Sequence, residues 1–283
     1  MKTFTISLVS SVCVVAALSW SEASRAQAVP LVFQTTFNCP DWNQNMGVSD
    51  GAVCKSGDGI SGAGAWAAKG YVDEVTAAAN NPAGGGGKGF RHYRGDGSNT
   101  SGGGLTITLP MAVTEVWVRF YMKYSSGFAW TNSAPAYTKE HYWEAGTSKS
   151  YVVFGIQGKS SWGVNFAGGT NYPSSRTFAA SQGGSKTGDG LWHAYEYHLK
   201  QNGPAATIEV WVDGVKYLTH SSANLGSTPW RRFILGSNQA TVTDCNPVCY
   251  TDYDDIAVST SGYIGLLGTP PAPVPPPQGL RVQ

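Results

Sequence analysis

Six stretches of this chain alternate apolar and polar residues with a period of two: Leu105 to Leu109, Glu115 to Tyr124, Tyr151 to Gln157, Trp162 to Phe166, Trp192 to Lys200 and Thr207 to Asp213. A half-buried strand needs that repeat, because successive side chains point to opposite faces of a sheet. Each stretch is bounded by Gly, Pro, Asn or Ser, the punctuation of strands and turns. Two shorter runs, Phe233 to Gly236 and Asp255 to Ser259, extend the set, and Val32 to Phe37 alternates at the start. No segment holds a 3.6-residue period for more than a few turns. The pattern predicts an all-β fold of two stacked antiparallel sheets, a two-sheet β-sandwich.

Composition narrows the function. The formal net charge is +1 over 283 residues, which argues against nucleic acid as a partner. Ten Trp, 14 Tyr and 10 Phe require either burial or a ligand. Met1-Lys2, an apolar stretch from Phe4 to Trp20 and the small-residue site Ala26-Gln27-Ala28 read as a secretory signal peptide over residues 1–28. No later segment resembles a membrane span, so the protein is expected to be secreted, extracellular or periplasmic. Residues 29–268 are expected to form one jelly-roll domain, and 269–283 a proline-rich tail. Cys39, Cys54, Cys245 and Cys249 are expected to pair locally, Cys39 with Cys54 and Cys245 with Cys249. Zinc is the competing reading, weakened because no His sits at ligand spacing. Residues 41–88 read as long loops with short strands or one short helix near Val72 to Asn80, and the Gly84 to Gly87 run as a turn.

Period two also assigns faces. Val116, Val118, Phe120 and Met122 form a core face, against Glu115, Trp117, Arg119, Tyr121 and Lys123. Ile208, Val210 and Val212 oppose Thr207, Glu209 and Trp211. Val152, Phe154 and Ile156 leave Gln157 on the other side, and Trp162, Val164 and Phe166 leave Asn165. Glu196, His198 and Lys200 oppose Tyr195, Tyr197 and Leu199. In Tyr137 to Glu144, Lys139, His141 and Trp143 alternate with Glu140, Tyr142 and Glu144. A solvated face would carry few tryptophans. Rings beside planar hydrogen-bonding groups suit sugars, whose C–H faces stack while their hydroxyls need donors and acceptors. Trp117, Trp143, Trp211, Asn165, Glu196, His198 and Glu209 are therefore candidate binding residues of one shared, concave cradle. Packing of Trp117 and Trp211 under loops is the competing explanation.

Trp192-His-x-Tyr-x-Tyr-x-Leu-Lys200-x-Asn202-Gly203, followed by Ile208-Glu-Val-Trp-Val-Asp-Gly214, resembles the paired strands of concanavalin-A-like jelly rolls. Tyr253-Asp-Asp-Ile-Ala-Val-Ser259 is similar to their closing strand, and Glu115 to Trp130 to their early aromatic strand. Laminin-G-type modules and secreted polysaccharide lyases of the glucuronan-lyase and heparin-lyase-I-like groups carry such strands. The resemblance implies polysaccharide binding, with β-elimination on uronic-acid glycans as the activity. In that chemistry a cation or amide neutralises the carboxylate, a base removes the neighbouring proton and an acid protonates the leaving oxygen. By the resemblance, Arg119, Lys139 and Gln157 are the neutralisers, His141 the base, and Tyr121 or Tyr142 the acid. The alginate-lyase Gln-x-His motif and the Glu-x-Asp-x-x-Glu motif of jelly-roll hydrolases are absent. A non-catalytic lectin-like, laminin-G-like or adhesion module fits the same residues, as does a structural extracellular protein.

Arg91 and His92 could bring cationic groups to an acidic glycan, and Asp252 and Asp254 could hold one structural Ca²⁺. No other cofactor is required, and a monomer is expected.

Overall fold

The computed structural model describes residues 29–38, 60–63, 67–68, 71–95, 104–130, 137–145, 150–157, 161–168, 174–178, 188–223, 225–236, 242–243 and 249–268. The expected sandwich is what these residues build. One sheet has eight strands. Along it run Val215–Ala223, Ala206–Val212, His193–Lys200, Glu115–Tyr124, Cys249–Ser259, Gly89–Gly95 and Glu74–Thr76, with Leu31–Thr35 also paired to Cys249–Ser259. The other has seven: Ser174–Phe178, Ser161–Gly168, Ser150–Gln157, Tyr137–Ala145, Trp230–Leu235, Gly104–Val113 and Ile60–Ala63. Every pairing within these sheets is antiparallel. Among the described residues there is no α-helix, and the short helix expected near Val72 to Asn80 is a single 3₁₀ turn at Ala77–Ala79.

The core follows the alternation. Val116, Val118, Phe120, Tyr195, Tyr197, Leu199, Ile208 and Val210 are all 0% exposed and enter it from the eight-stranded sheet. Leu105, Ile107, Trp143, Phe233 and Leu235 meet them from the seven-stranded sheet. Phe120 sits centrally, 5.7 Å from the Tyr195 ring and 5.8 Å from that of Phe233. Truncating a ring so enclosed costs about 3–5 kcal/mol.

Two irregularities shape the surroundings. The register slips between Lys139 and His141, so Glu140 and His141 are both buried in succession, as an extra residue in a bulged strand allows. A second slip between Asp254 and Ala257 holds Asp255 at φ 49°. The Asn81 side chain donates to the Asp255 carboxylate at 2.8 Å. Gly84 packs so close that a Cβ there would lie 2.1 Å from Asp255 Oδ2. Only glycine fits.

Candidate functional site

The four strands whose non-core sides look alike in sequence belong to different sheets. Glu115–Tyr124 and Ala206–Val212 are in the eight-stranded sheet, while Ser150–Gln157 and Ser161–Gly168 are in the seven-stranded one. Their non-core sides face away from each other across the sandwich. A single cradle drawn from all four does not form.

Trp117, Arg119, Tyr121, Glu196, His198, Glu209 and Trp211 do share one surface, the outer face of the eight-stranded sheet. Arg119 lies opposite Glu196 and Trp117 opposite His198, with Trp211 and Glu209 next in line. Both tryptophans are half-buried. Trp117 lies flat on the His198 ring, centroids 4.1 Å apart at 4°. His198 in turn bridges Glu209 at 2.7 Å and Glu115 at 3.1 Å. That contact with His198 is the main reason Glu209 is held down at about 2.

The middle of this face is crossed by the chain itself. Residues 260–268 run over it as a strap. Glu196 accepts from the backbone N–H of Ile264 at 2.7 Å and of Gly265 at 2.9 Å. Arg119 donates to the Gly265 carbonyl at 3.0 Å, and Leu267 N–H donates to the Tyr121 hydroxyl at 2.9 Å. Tyr263 packs 5.0 Å from the Trp211 ring. Burial raises Glu196 to about 7, against the opposing pull of its two amide donors. Arg119 and Tyr121, expected to act on substrate, instead hold the strap.

At the far end of the same face, Arg91 pairs with Asp252 through Nε at 2.7 Å and Nη2 at 3.0 Å. Asp254 accepts from Asn81 N–H and Asp255 N–H, both at 2.8 Å. Burial raises Asp254 to about 7. These two aspartates do not fit the Ca²⁺ expectation: Asp252 is already neutralised by cations, and Asp254 is occupied by amides. Among the described residues no group of three His, Cys, Asp or Glu is placed to hold a metal ion.

Three other candidates lie inside the sandwich. His141 is 0% exposed, its Nδ1 3.0 Å from the Tyr197 hydroxyl and its Nε2 3.4 Å from that of Tyr253. Phe120 closes over it, ring centroids 4.7 Å apart. A polymer cannot reach this imidazole, so it is not the base. Trp143 is equally enclosed, stacked 4.9 Å from Phe233. His92 is buried with Asp73, Nδ1 to Oδ2 2.7 Å.

The side chains of Lys139, Tyr142, Gln157 and Asn165 lie outside the described residues, but their backbone register is fixed. Lys139 pairs with Gly155, Tyr142 with Val153, and Val153 with Asn165, while Tyr137 pairs with Gln157. Directly paired positions share a face, and period two adds Gln157 to Gly155 and Val153. The opposite parity carries buried Trp143, so these positions occupy the outer face of the seven-stranded sheet. The slip at Glu140 is what puts Lys139 and Tyr142, three residues apart, on the same side. Glu144 and Arg232 form an ion pair farther along that face, with Arg232 42% exposed.

Several residues escape the sequence reading. His193 bridges Asp213 and Asp189, each at 2.8 Å. Burial opposes its charge, but the two carboxylates outweigh it and hold His193 above its ordinary range. The strap was foreshadowed only by Gly262-Tyr-Ile-Gly-Leu-Leu-Gly268, apolar yet not alternating. Cys249 is buried, while Cys39, Cys54 and Cys245 lie outside the described residues.

No helix among the described residues is long and apolar enough to cross a membrane. No family model and no curated protein matches the sequence. Solved structures do. A variant of the alginate lyase Aly36B, in complex with alginate trisaccharide, is similar at TM-score 0.51 and 11% identity, covering 83% of this chain and 100% of that one. The binding domain of Paraclostridial Mosquitocidal Protein 1 is similar at TM-score 0.50 and 8% identity, covering 82% of this chain and 49% of that one. An endo-β-1,4-glucuronan lyase from the fungus Trichoderma reesei is similar at TM-score 0.49 and 13% identity, over 67% of this chain and 87% of that one. Identities this low speak to architecture alone. With the two sheets, the chain is a two-sheet antiparallel β-sandwich of jelly-roll type, distantly similar in structure to these proteins.

Proposed function

We propose that the protein binds a polysaccharide across the outer face of the seven-stranded sheet and cleaves uronic-acid glycans there by β-elimination. One observation carries the reading. The register gathers Lys139, Tyr142, Gln157 and Asn165 from three adjacent strands onto one face, whereas the opposite outer face is crossed by its own strap. A cation and two amides are the groups that neutralise a uronate carboxylate. Tyr142, as phenolate, takes the proton alpha to it; a carbon–carbon double bond forms as the glycosidic C–O bond breaks, and the leaving oxygen takes up that proton from Tyr142, restoring the phenolate. Tyrosine titrates at about 10 in water, so a cation on the same face, such as Lys139, would have to lower it for the base role. The similarity to an alginate lyase supports the fold on which this chemistry is hung, and the residues carry the rest.

The test is ultraviolet absorbance of unsaturated uronates on incubation with acidic polysaccharides. A rise that Tyr142→Phe abolishes is expected. Binding with no rise would leave a non-catalytic glycan-binding module, and neither binding nor rise would end the carbohydrate reading. The same proposal places the mature protein outside the cell, beginning at Val29 and carrying the pairs Cys39–Cys54 and Cys245–Cys249. Intact mass of the exported protein checks both.

A further inference from the structure

The eight-stranded sheet carries a second feature, at the end that the strap leaves uncovered. Arg91 Nη2 and Lys123 Nζ converge on one carboxylate oxygen, Asp252 Oδ2, at 3.0 and 3.1 Å. Asp252 is wholly buried beneath them, while the Arg91 and Lys123 side chains keep 12% and 18% of their surface. Each cation lies against an aromatic ring: the Arg91 guanidinium is 3.7 Å from the Tyr250 centroid, and the Lys123 ammonium 5.0 Å from that of Trp192. Both rings are half-buried and reach solvent.

The stoichiometry is uneven. Guanidinium and ammonium bring about eight N–H donors to a carboxylate with about four acceptor sites. Arg91 also donates to the Ala78 carbonyl at 3.2 Å, which absorbs one more. Donors remain on both cations, which keep some surface above a floor that fixes them in place. Of the neighbouring acids, Glu74 lies opposite Arg91 and accepts from the Tyr93 hydroxyl at 2.7 Å. Asp254 accepts from two amides. Neither is bonded to Arg91 or Lys123.

We infer that Arg91 and Lys123, flanked by Tyr250 and Trp192, form a binding site for an anionic sugar, whose carboxylate or sulfate group bridges the two cations. Preset charges bind such a group more firmly than mobile ones, because their side-chain entropy is already spent in holding Asp252. Rings beside the cations offer the C–H face of the sugar a partner. This is a second surface, and it stands whether or not the seven-stranded face cleaves a polymer.

Affinity electrophoresis of the full chain tests it, in gels containing polyglucuronate, a sulfated galactan or a neutral β-glucan. The wild type is expected to be retarded by at least one anionic gel and not by the neutral one. Lys123→Gln and Trp192→Ala should each weaken that retardation at least fivefold, and Lys123→Arg should restore it. Both substitutions leave Arg91 on Asp252, so melting temperatures monitor the fold. Retardation in one anionic gel or both identifies the group recognised. Equal retardation of wild type and variants, or retardation in the neutral gel, overturns the site. Tyr142→Phe separates the two surfaces, since it should abolish elimination and leave the Lys123-dependent retardation unchanged.

Discussion

The two outer faces of this sandwich draw on the same residue types and put them to different use. On the eight-stranded sheet, Glu196, Arg119 and Tyr121 grip the backbone of residues 260–268, and His198 and His193 are each wedged between two carboxylates. Its central charges are consumed by the protein itself. On the seven-stranded sheet, Lys139, Tyr142, Gln157 and Asn165 fall into register on one face. A row of polar and aromatic residues on a single strand therefore says little about a ligand site; what the neighbouring strands bring to the same face decides.

That contrast can be broken most sharply by Tyr142→Phe, expected to lower the elimination rate by about 10²- to 10⁴-fold while melting stays unchanged; assay of the folded variant at saturating polymer decides it. Glu196→Ala should do the reverse. It strands the Ile264 and Gly265 amide donors, costing about 1–3 kcal/mol for each in urea unfolding, with turnover of the folded protein intact. Loss of turnover at unchanged stability would move the working site to the strap face.

The pH dependence comes next. Burial raises Glu196 and Asp254 to about 7, above their unfolded values. The folded state then binds more protons, so this stability is full below the unfolded pKa and fades as pH rises through about 7. His193, also raised, acts in the same direction. Melting temperature should fall between pH 5 and 8, each carboxyl accounting for on the order of a few kcal/mol. Glu196→Gln should flatten the slope, and a melting temperature that climbs over that range contradicts the assignment. Glu209, held at about 2, contributes stability above its unfolded value that is lost only as pH falls toward 2.

His141→Leu is expected to cost about 1–3 kcal/mol through the Tyr197 and Tyr253 hydroxyls it serves, leaving the proposed elimination by the folded protein unchanged. The smallest effect is Lys200→Ala. Its pair with Glu115 is exposed, and its loss should change stability by at most about 0.5 kcal/mol.

Which residues face the core was legible in sequence. Val116 to Met122 and Ile208 to Val212 are buried where the alternation put them, because period two is a property of each strand alone. Which sheet a strand joins is not local, and that is where the shared cradle failed. Trp117 and Asn165 read as equivalent yet belong to opposite surfaces. Nor could alternation reveal the slip at Glu140, which sends two successive residues inward. His141 and Trp143 look like a binding edge because a buried histidine held by two tyrosines from other strands has no signature in its own neighbours. The strap was missed for a related reason: its hydrogen-bonded anchors Glu196, Arg119 and Tyr121 lie 68 residues and more away in sequence.

Cys249–Ser259 occupies the middle of its sheet, hydrogen-bonded to Glu115–Tyr124, Gly89–Gly95 and Leu31–Thr35. Among the described strands it is also the last in chain order. Without it, the eight-stranded sheet is two half-sheets with a gap between them, whose unpaired edges have nothing native to join. Closure is consequently a late, all-at-once event that earlier segments cannot rehearse, and it brings together stretches more than 200 residues apart. Such long-range pairing is slow. Until that strand is in place, neither half of the eight-stranded sheet has its native neighbour.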